Sequence, residues 1–579
     1  MEPSPRAIHR AGQSFMQEMD PTFEPGEFVD TDVAPTISRR ALRRLLYIVA
    51  AALAVLLLVL LPPLISLNRY QRRIANSIGQ SLGRPVHLDK VSLNLLPLPG
   101  FALENFVVDE DPAFGNEPAI RANSVNATLR ISSLWSRRFE FSTISFTDPS
   151  VNLVHLSNGK WNLDSILLHA AHIDAAPTAQ KKPGPAPRFP YIEATGARLN
   201  LKLGNEKTPI SFTDADFALW LPDPQQWHLR LRAHPARTDT NASDTGLFSL
   251  EGTLGRAASL SQVPLSLQGV WRNVPLGQAS LLLLGRDAGL RGDLTLSANA
   301  QGTIGNSAIQ TRIQIIGGRR AEFVPAIPLD ADVQCLATAT ADFHTFEDIH
   351  CAWPPSGTSA PPTFTLTSAF LDVRNPAGTP FEIATPGLPA SALLDWLRIA
   401  SPRVPADISA TGTLTGAISY HPNSPNTWQG QLQLADASLI NPHPSPSSLL
   451  TGDITLQSIV APAPDPRHGL RRASAPIPNG FELSPTTLDL GGKEPATLEG
   501  HLGTIGYTLH LTGMASLSRL HALAAAIPQL GDGLNQVLPA NRAAGPFRID
   551  LTCTHPWGYP QTWIDNTTQP SKSKPRHRG

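Results

Sequence analysis

The sequence has almost no net charge and few aromatic residues. Both properties restrict the classes of protein to which it can belong. Lys and Arg number 46 and Asp and Glu number 47, which gives a formal net charge of −1. Broad nucleic-acid binding needs an excess of positive charge, so nucleic acid is a poor candidate partner. Aromatic residues make up 6% of the chain, whereas there are 55 Pro and 42 Gly residues. This balance favours many strands joined by turns over long helices.

The usual sequence signatures of catalysis, metal binding and nucleotide binding are also missing. There is no CxxC pair, no HExxH, no P-loop and no G-x-G-x-x-G between a strand and a helix. The stretch Gly79-Gln80-Ser81-Leu82-Gly83 fits the G-x-S-x-G nucleophile elbow. That elbow needs a preceding strand and a following helix, whereas here a helical pattern precedes it and Gly83 and Pro85 end the helix. We therefore expect a protein that is not an enzyme and uses no cofactor, metal or nucleotide.

Cysteine is scarce, with Cys335, Cys351 and Cys553 as the three examples. Cys335 and Cys351 flank a segment of hairpin size, and in an oxidising compartment they could form a disulfide bond. Two free cysteines in β-structure are the alternative that the spacing leaves open.

A long apolar run, Leu45 to Leu67, is the clearest positive feature, and it contains no charged residue. At ~1.5 Å per residue, its roughly 23 residues cover about 34 Å, enough to cross a hydrocarbon core of about 30 Å. A cleaved secretory signal has a shorter apolar core and no long acidic tail before it. We predict a transmembrane anchor over residues 39–68 and a disordered cytoplasmic tail over residues 1–38. Basic residues flank the run on both sides, but long domains translocate largely regardless of charge, so the bulk of the chain is expected beyond the membrane.

A short amphipathic helix is predicted directly after the anchor. Tyr70, Ile74, Ile78 and Leu82 recur every fourth residue until Gly83, which is the period of one helix face. The cationic residues near the start of this segment are candidates for contact with lipid phosphates at the membrane surface: Arg69, Arg72 and Arg73.

From Val86 onwards the apolar period changes from four to two. Apolar and polar residues alternate along short segments, which predicts amphipathic strands in an antiparallel meander with one apolar face. If the sheet curls without closing, that face lines a groove able to hold acyl chains. The candidate groove residues are Val125, Ala127, Leu129, Ile131, Phe139, Phe141, Ile144 and Phe146. Alternation alone does not separate such a groove from a dry core.

The rest of the chain is predicted to be a β-rich body over residues 191–564. A Pro-rich linker or loop, residues 173–190, precedes it, and a basic disordered tail, residues 565–579, follows it. A strand start of the type small-Gly-polar-apolar recurs around Gly252, Gly302, Gly412 and Gly500, which indicates related β-units stacked along an elongated body. Helical patterns at Leu276 to Leu284, Ala390 to Ala400 and Leu517 to Ala526 predict short helices that plug or cap the sheet.

The order of features near the N-terminus resembles one known family. The anchor is followed by GRPVHLDKVSLNLLPLPGFALENFVVDEDPAFGNEP, then ISSLWSRRFEFSTISFTDPSVNLV, then the closing NGKWNL. Together these resemble the N-terminal region of the AsmA family over about residues 45 to 170, which implies an AsmA-like β-region over residues 69–172. The resemblance implies a protein of the inner membrane of Gram-negative bacteria, related to bridge-like lipid transfer proteins, with a β-groove in the periplasm.

The expected fold is therefore mainly β: a single transmembrane helix, then an elongated, curled antiparallel sheet with an open groove and a few short helices. The resemblance implies phospholipid handling in that groove and support of outer-membrane biogenesis, with membrane phospholipid and envelope proteins as partners. It also implies a single-pass inner-membrane location with a cytoplasmic N-terminus. The alternative is a non-catalytic scaffold that influences outer-membrane protein assembly without carrying lipid.

Overall fold

The computed structural model of the chain falls into two compact units, Met1–Leu61 and Pro62–Gly579. It describes residues 39–60, 71–94, 98–130, 141–156, 160–162, 190–203, 206–223, 225–257, 260–326, 329–340, 345–355, 362–372, 375–400, 404, 406–422, 424, 427–441, 447–459, 479–503, 505–526, 528–538, 545–556 and 562–568. The predicted N-terminal tail, most of the Pro-rich linker, the end of the anchor and residues 569–579 lie outside these ranges. The prediction that the disordered C-terminal tail begins at residue 565 is wrong for its first four residues, because Asp565 ends a strand and Asn566–Thr568 form a short 3-10 helix.

The first unit contains one described helix, α1 (Arg39–Leu60), rich in Leu and Ala. Its large apolar side chains are exposed, for example Leu46 at 64%, Tyr47 at 74% and Ile48 at 65%. Within the described ranges, no helix combines the length and the apolar character needed to cross a bilayer. The predicted span from Leu45 to Leu67 runs past the end of α1 into residues 61–70, which lie outside the described part.

The second unit is built on strands, which confirms the mainly β prediction. Its strands belong to one large, curled sheet. The strands are β1 (Val86–His87), β2 (Lys90–Asn94), β3 (Gly100–Val108), β4 (Ile120–Leu129), β5 (Phe141–Thr147), β6 (Ser150–His155), β7 (Tyr191–Leu203), β8 (Glu206–Asp223), β9 (Gln226–Arg237), β10 (Leu247–Leu254), β11 (Pro264–Pro275), β12 (Leu290–Thr303), β13 (Asn306–Arg320), β14 (Leu329–Thr340), β15 (Thr345–Trp353), β16 (Phe364–Asp372), β17 (Phe381–Pro389), β18 (Ser409–Tyr420), β19 (Trp428–Asn441), β20 (Ser447–Ser458), β21 (Gly480–Leu488), β22 (Ala496–Gly503), β23 (Gly506–Ala515), β24 (Phe547–Pro556) and β25 (Trp563–Asp565).

Short helices accompany the sheet. They are α2 (Gln71–Leu82), α3 (Leu276–Leu284), α4 (Ala390–Ala400), α5 (Leu517–Ala526) and α6 (Pro528–Val537). The three capping helices predicted from the apolar pattern are confirmed as α3, α4 and α5, with the predicted bounds.

From β7 to β25 each strand pairs antiparallel with its neighbour in the chain. The exception to the predicted antiparallel order is upstream: β5 and β6 follow β4 antiparallel but pair with β7 parallel. A parallel pair needs a long connection, and the segment between His155 and Tyr191 supplies it. The AsmA-like region and the β-rich body therefore share one sheet.

β7 contains a bulge at Gly196. β7 runs through this glycine without interruption, and its register against β8 shifts between Ala194 and Ala197. Gly196 has φ +64°, and a Cβ there would lie 2.5 Å from Asp148 Oδ1. A side chain would therefore collide with the corner between β5 and β6, and glycine permits this bulge.

The helices are inserted every six strands. α3 connects β11 to β12, α4 connects β17 to β18, and α5 with α6 connects β23 to β24. The strands β11, β17 and β23 run in the same direction, because alternate strands of an antiparallel meander are parallel to each other. The three insertions therefore lie on the same side of the sheet, at the ends of these strands, and we call this side the helix-bearing edge. The details repeat as well. β11 and β17 both end in proline, Pro275 and Pro389, and positive-φ glycines follow at Gly292 and Gly412, each beside a register shift.

Buried apolar residues form separate clusters, most of them beneath the helices, with a further cluster of alanines among β7, β8 and β9. The cluster under α2 contains Ala75, Val86, Leu88, Val91, Leu103, Phe106, Val108, Ala122 and Val125. The larger cluster, with α5 and α6, contains Leu488, Leu490, Ala496, Leu509, Leu511, Ala515, Leu520, Leu523, Ala524, Leu534, Ile549, Leu551, Cys553 and Trp563. Smaller clusters form with α3, and with α4 together with α5. The described core is thus concentrated at the two ends of the meander.

Candidate functional site: the apolar face of the sheet

One face of the sheet is apolar across almost every strand. Residues directly opposite each other on paired strands share a face, so the register can be followed from strand to strand. From β2 to β18 it joins Val91, Leu103, Val125, Phe146, Ala194, Phe217, Leu231, Leu250, Gly269, Ala298, Thr311, Cys335, Cys351, Leu366, Ile383 and Ile418. From β17 to β25 it joins Thr385, Gly416, Leu432, Leu456, Leu483, Gly500, Leu509, Cys553 and Trp563. We call these residues the apolar row.

Burial along the apolar row changes in the middle of the meander. At the two ends the row is closed, as at Val91 and Cys553, both 0% exposed. Between β9 and β20 its large side chains are half-buried, as at Leu250, Leu366 and Leu432. These three belong to none of the buried clusters that the described residues form. A folded sheet rarely leaves so long an apolar face without a cover.

The inserted helices cover only part of this middle region. In α3, Ala279 and Leu282 pack with Trp271 and Val274, near the end of β11. In α4, Leu394 packs against a cluster at the helix-bearing edge of the sheet. The helices therefore shield one edge of the apolar face and leave the centres of the strands half-buried.

Two of the four recurring motif glycines, Gly252 and Gly500, have a packing role on this face. Gly252 lies opposite Leu267, and a Cβ on Gly252 would sit 2.7 Å from Leu267 Cδ2. Gly500 has the same relation to Leu509 Cδ2, again at 2.7 Å. The glycine thus leaves room for a leucine of the next strand to lie flat over the sheet. The motif was visible in the sequence, but its leucine partner was not.

The groove residues predicted from alternation lie mostly at the closed end. Val125, Ala127 and Leu129 are buried, at 3%, 9% and 5% exposed. Phe141, Ile144 and Phe146 are half-buried, and the last two pack with Val125 in the cluster under α2. Ile131 and Phe139 lie outside the described residues. Contact of these positions with lipid stays a prediction.

The amphipathic helix predicted after the anchor is α2. Ile74, Ile78 and Leu82 pack against the sheet cluster, and Arg72 and Arg73 are exposed. Arg69 lies outside the described part. Ser81, the residue of the G-x-S-x-G match, belongs to α2, so a helix and not a strand precedes it.

A buried ionic network joins three of the motifs that carry the family resemblance. Arg84 Nη1 donates to Glu110 Oε1 at 2.6 Å, and the two side chains are 4% and 1% exposed. Asn162 Nδ2 donates to Glu110 Oε2 at 2.5 Å, and Arg84 Nη2 donates to the Asn162 carbonyl oxygen at 3.2 Å. Asn162 Oδ1 accepts from the Val154 amide at 3.0 Å. Because a buried charge is stable only when paired, these residues hold α2, β3 and β6 together.

Cys335 and Cys351 lie directly opposite each other on β14 and β15 and are joined by a disulfide bond. Both belong to the apolar row. Cys553 is free and buried, and burial raises the pKa of its thiol. Throughout the described ranges, no group of three His, Cys, Asp or Glu side chains is placed to hold a metal ion.

Comparison with known proteins supports the resemblance read from the sequence. Residues 40–191 match the AsmA family, which confirms that prediction for the segment from α1 to the start of β7. The matched segment includes Arg84, Glu110 and Asn162. No curated protein and no solved structure matches the chain.

Proposed function

Through residues 40–191 the chain belongs to the AsmA family, and on that premise we propose that it handles phospholipid at the envelope and supports outer-membrane biogenesis. The family supports a membrane-associated envelope protein. The lipid's acyl chains would lie along the apolar row between β9 and β20. The observation that carries the proposal is the half-buried middle of a row that is closed at both ends.

The physical reason is the cost of exposing this face to water. Apolar area removed from water contributes roughly 25 cal/mol per Å². Acyl chains of separate lipids, laid along the row at Leu250, Leu366 or Leu432, would cover half-buried side chains, while their headgroups stay in solvent. The proposed role is non-catalytic and needs no cofactor, because a lipid binds when its acyl chain is buried on the apolar row and is released when that contact is lost.

The proposed location is the inner membrane, with the body in the periplasm and the N-terminus in the cytoplasm. The segment Leu45 to Leu67 would be the single-pass anchor. Two observations support this: the apolar side chains of α1 are exposed, and the Cys335–Cys351 disulfide suits an oxidising compartment.

Photo-crosslinking in cells tests lipid contact directly. A photoreactive phenylalanine is placed at Leu432, in the apolar row of β19, and for comparison at its neighbour Gln431, which is exposed on the other face. Cells are labelled with radioactive phosphate and irradiated, and the full-length protein is purified. We expect a phospholipid adduct at Leu432 and none at Gln431. Equal labelling at both positions would contradict a lipid-binding face.

The closed clusters at both ends favour one competing function, a scaffold whose apolar face is dry. The same experiment separates the two. If Leu250, Leu366 and Leu432 all fail to crosslink phospholipid in folded, membrane-anchored protein, the scaffold is the better account.

A further inference from the structure

We propose that the polar face of β8 to β12 binds an uncharged oligosaccharide. This face lies opposite the apolar row and holds a solvent-open cavity of about 500 Å³. Its size lies within the roughly 300–1,000 Å³ that is usual for small-molecule sites. The inference does not depend on lipid binding, because the two faces of a strand are independent surfaces.

The lining side chains form two rows that the strand register sets side by side. One row runs through Trp220, His228, Thr253, Ser266 and Gln301. The other runs through Arg230, Glu251, Gln268 and Asn299. The first row crosses five strands spaced about 4.8 Å apart and is about 19 Å long, enough for several sugar rings; the second crosses four of the same strands.

The polar side chains that line this cavity are mostly exposed. The side chains of Arg230, Glu251, Gln268, Asn299 and Gln301 make no hydrogen bond or ion pair with any described residue. Amide side chains each offer donors and an acceptor, which matches hydroxyl groups that both donate and accept. The row therefore presents the pattern that a polyhydroxylated ligand needs.

An aromatic platform closes one end of the cavity. The Trp220 ring lies 5.4 Å from the His228 ring and 6.0 Å from the Tyr191 ring, centroid to centroid. Trp220 is half-buried, so its ring is held while part of it faces the cavity. The apolar C–H face of a pyranose ring packs well on such a surface, and its hydroxyls then reach the amides.

The balanced charge of the cavity favours an uncharged ligand over an anionic one. Arg230 lies directly opposite Glu251, so the charges in the cavity sum to zero. A phosphate or a nucleic-acid backbone requires an excess of positive charge. A peptide added as a strand needs a free sheet edge, whereas this site is a face of paired strands.

Ligand-observed NMR on the full-length protein tests the proposal. The detergent must be zwitterionic, because a sugar-headgroup detergent would compete for the cavity. The probes are maltotetraose and chitotetraose, both uncharged, with inorganic phosphate as the anionic probe. We expect at least one tetrasaccharide to bind and phosphate not to bind.

Variants then locate the binding. Trp220→Ala should weaken binding about tenfold or more, because an aromatic anchor carries much of the affinity of a site. Asn299→Ala, at an exposed position, should weaken it without affecting folding, and Gln431→Ala, exposed on β19, is the control that should leave it unchanged. The proposal is overturned if neither sugar binds, if Trp220→Ala and Asn299→Ala leave binding intact, or if phosphate binds instead.

Discussion

Glu110 is the residue on which the AsmA-like end of the sheet depends most directly. It accepts hydrogen bonds from Arg84 and from Asn162, and both oxygens of its carboxylate are used. Replacing Glu110 by Gln would remove the negative charge that lies 2.6 Å from the buried Arg84 guanidinium. We expect a loss of about 3–5 kcal/mol of local stability, which is typical when one partner of a buried pair is removed. Hydrogen exchange of the β3, β4 and β6 amides measures it.

Glu104 lies on β3, the strand that leads into Glu110, and provides a matched comparison. Its carboxylate lies 2.9 Å from Lys90 Nζ, but the two side chains are 52% and 47% exposed. Glu104→Gln should therefore change stability by no more than about 1 kcal/mol, because exposed pairs contribute little. Equal effects of Glu110→Gln and Glu104→Gln would show that burial does not govern the network.

His510 makes the far end of the sheet sensitive to pH. Its ring lies between two carboxylates, with Nε2 3.0 Å from Asp550 Oδ1 and Nδ1 3.2 Å from Glu499 Oε1. The hydrogen bond to Asp550, reinforced by that to Glu499, raises the pKa of His510 above its ordinary 6.5. A hydrogen bond from Asn566, and then that from His510, lowers the pKa of Asp550 below 3.8.

The sign of the pH effect follows from these two shifts. The raised pKa of His510 gives stability that is complete below pH 6.5 and is lost as the pH rises through that pKa. The contribution of Asp550 is complete above pH 3.8 and is lost only in stronger acid. We expect the β22, β23 and β24 amides to lose protection as the pH rises above 6.5, after correction for intrinsic exchange. His510→Gln should remove this dependence; a dependence that survives the substitution would point to another group.

At the scale of strands and helices, the periodicity of apolar residues predicts where the elements lie, but it does not predict which strands pair. Three helices and the alternation of the strands could be predicted because each is a local pattern of one segment. The parallel contact of β5 and β6 with β7 could not, because it depends on two segments separated by a long connection. The packing of Val125, Ile144 and Phe146 in the cluster under α2 could not be predicted for a similar reason: alternation marks an apolar face, but not whether a helix covers it.

The glycine of the recurring strand motif can be tested against a neighbour on the same face. A Cβ on Gly252 would lie 2.2 Å from the Ser266 carbonyl oxygen, whereas one on Gly269 would meet nothing closer than 3.8 Å. Gly252→Ala should cost about 1–3 kcal/mol through overpacking. Gly269→Ala should be neutral or slightly stabilising, because alanine restricts the unfolded chain. Hydrogen exchange of β10 and β11 distinguishes them, and equal behaviour would argue against the packing role.

For the whole molecule, the six-strand period predicts which deletions the sheet tolerates. Removing residues 276–389 deletes α3 and the strands β12 to β17, and it joins Pro275 to Ala390 so that α4 follows β11. Since Pro275 and Pro389 end equivalent strands, β18 can take the place of β12 in the pairing. We expect a folded, protease-resistant protein with the circular dichroism of a β-sheet.

An out-of-phase deletion is the control. Removing residues 276–328 deletes α3, β12 and β13 and joins Pro275 directly to Leu329, with no helix at the connection. This variant should be degraded by protease under conditions in which the in-phase deletion survives. Equal resistance of the two variants would mean that the period has no part in folding.

The insertion of a helix at every sixth strand also defines a repeating unit with a fixed length along the meander. Six strands at about 4.8 Å each advance the meander by about 29 Å, close to the thickness of a bilayer's hydrocarbon core, about 30 Å. Gain or loss of one such unit by gene duplication or deletion would lengthen or shorten the protein in steps of this size without disturbing either closed end. The length of the sheet would thereby change in whole units of six strands.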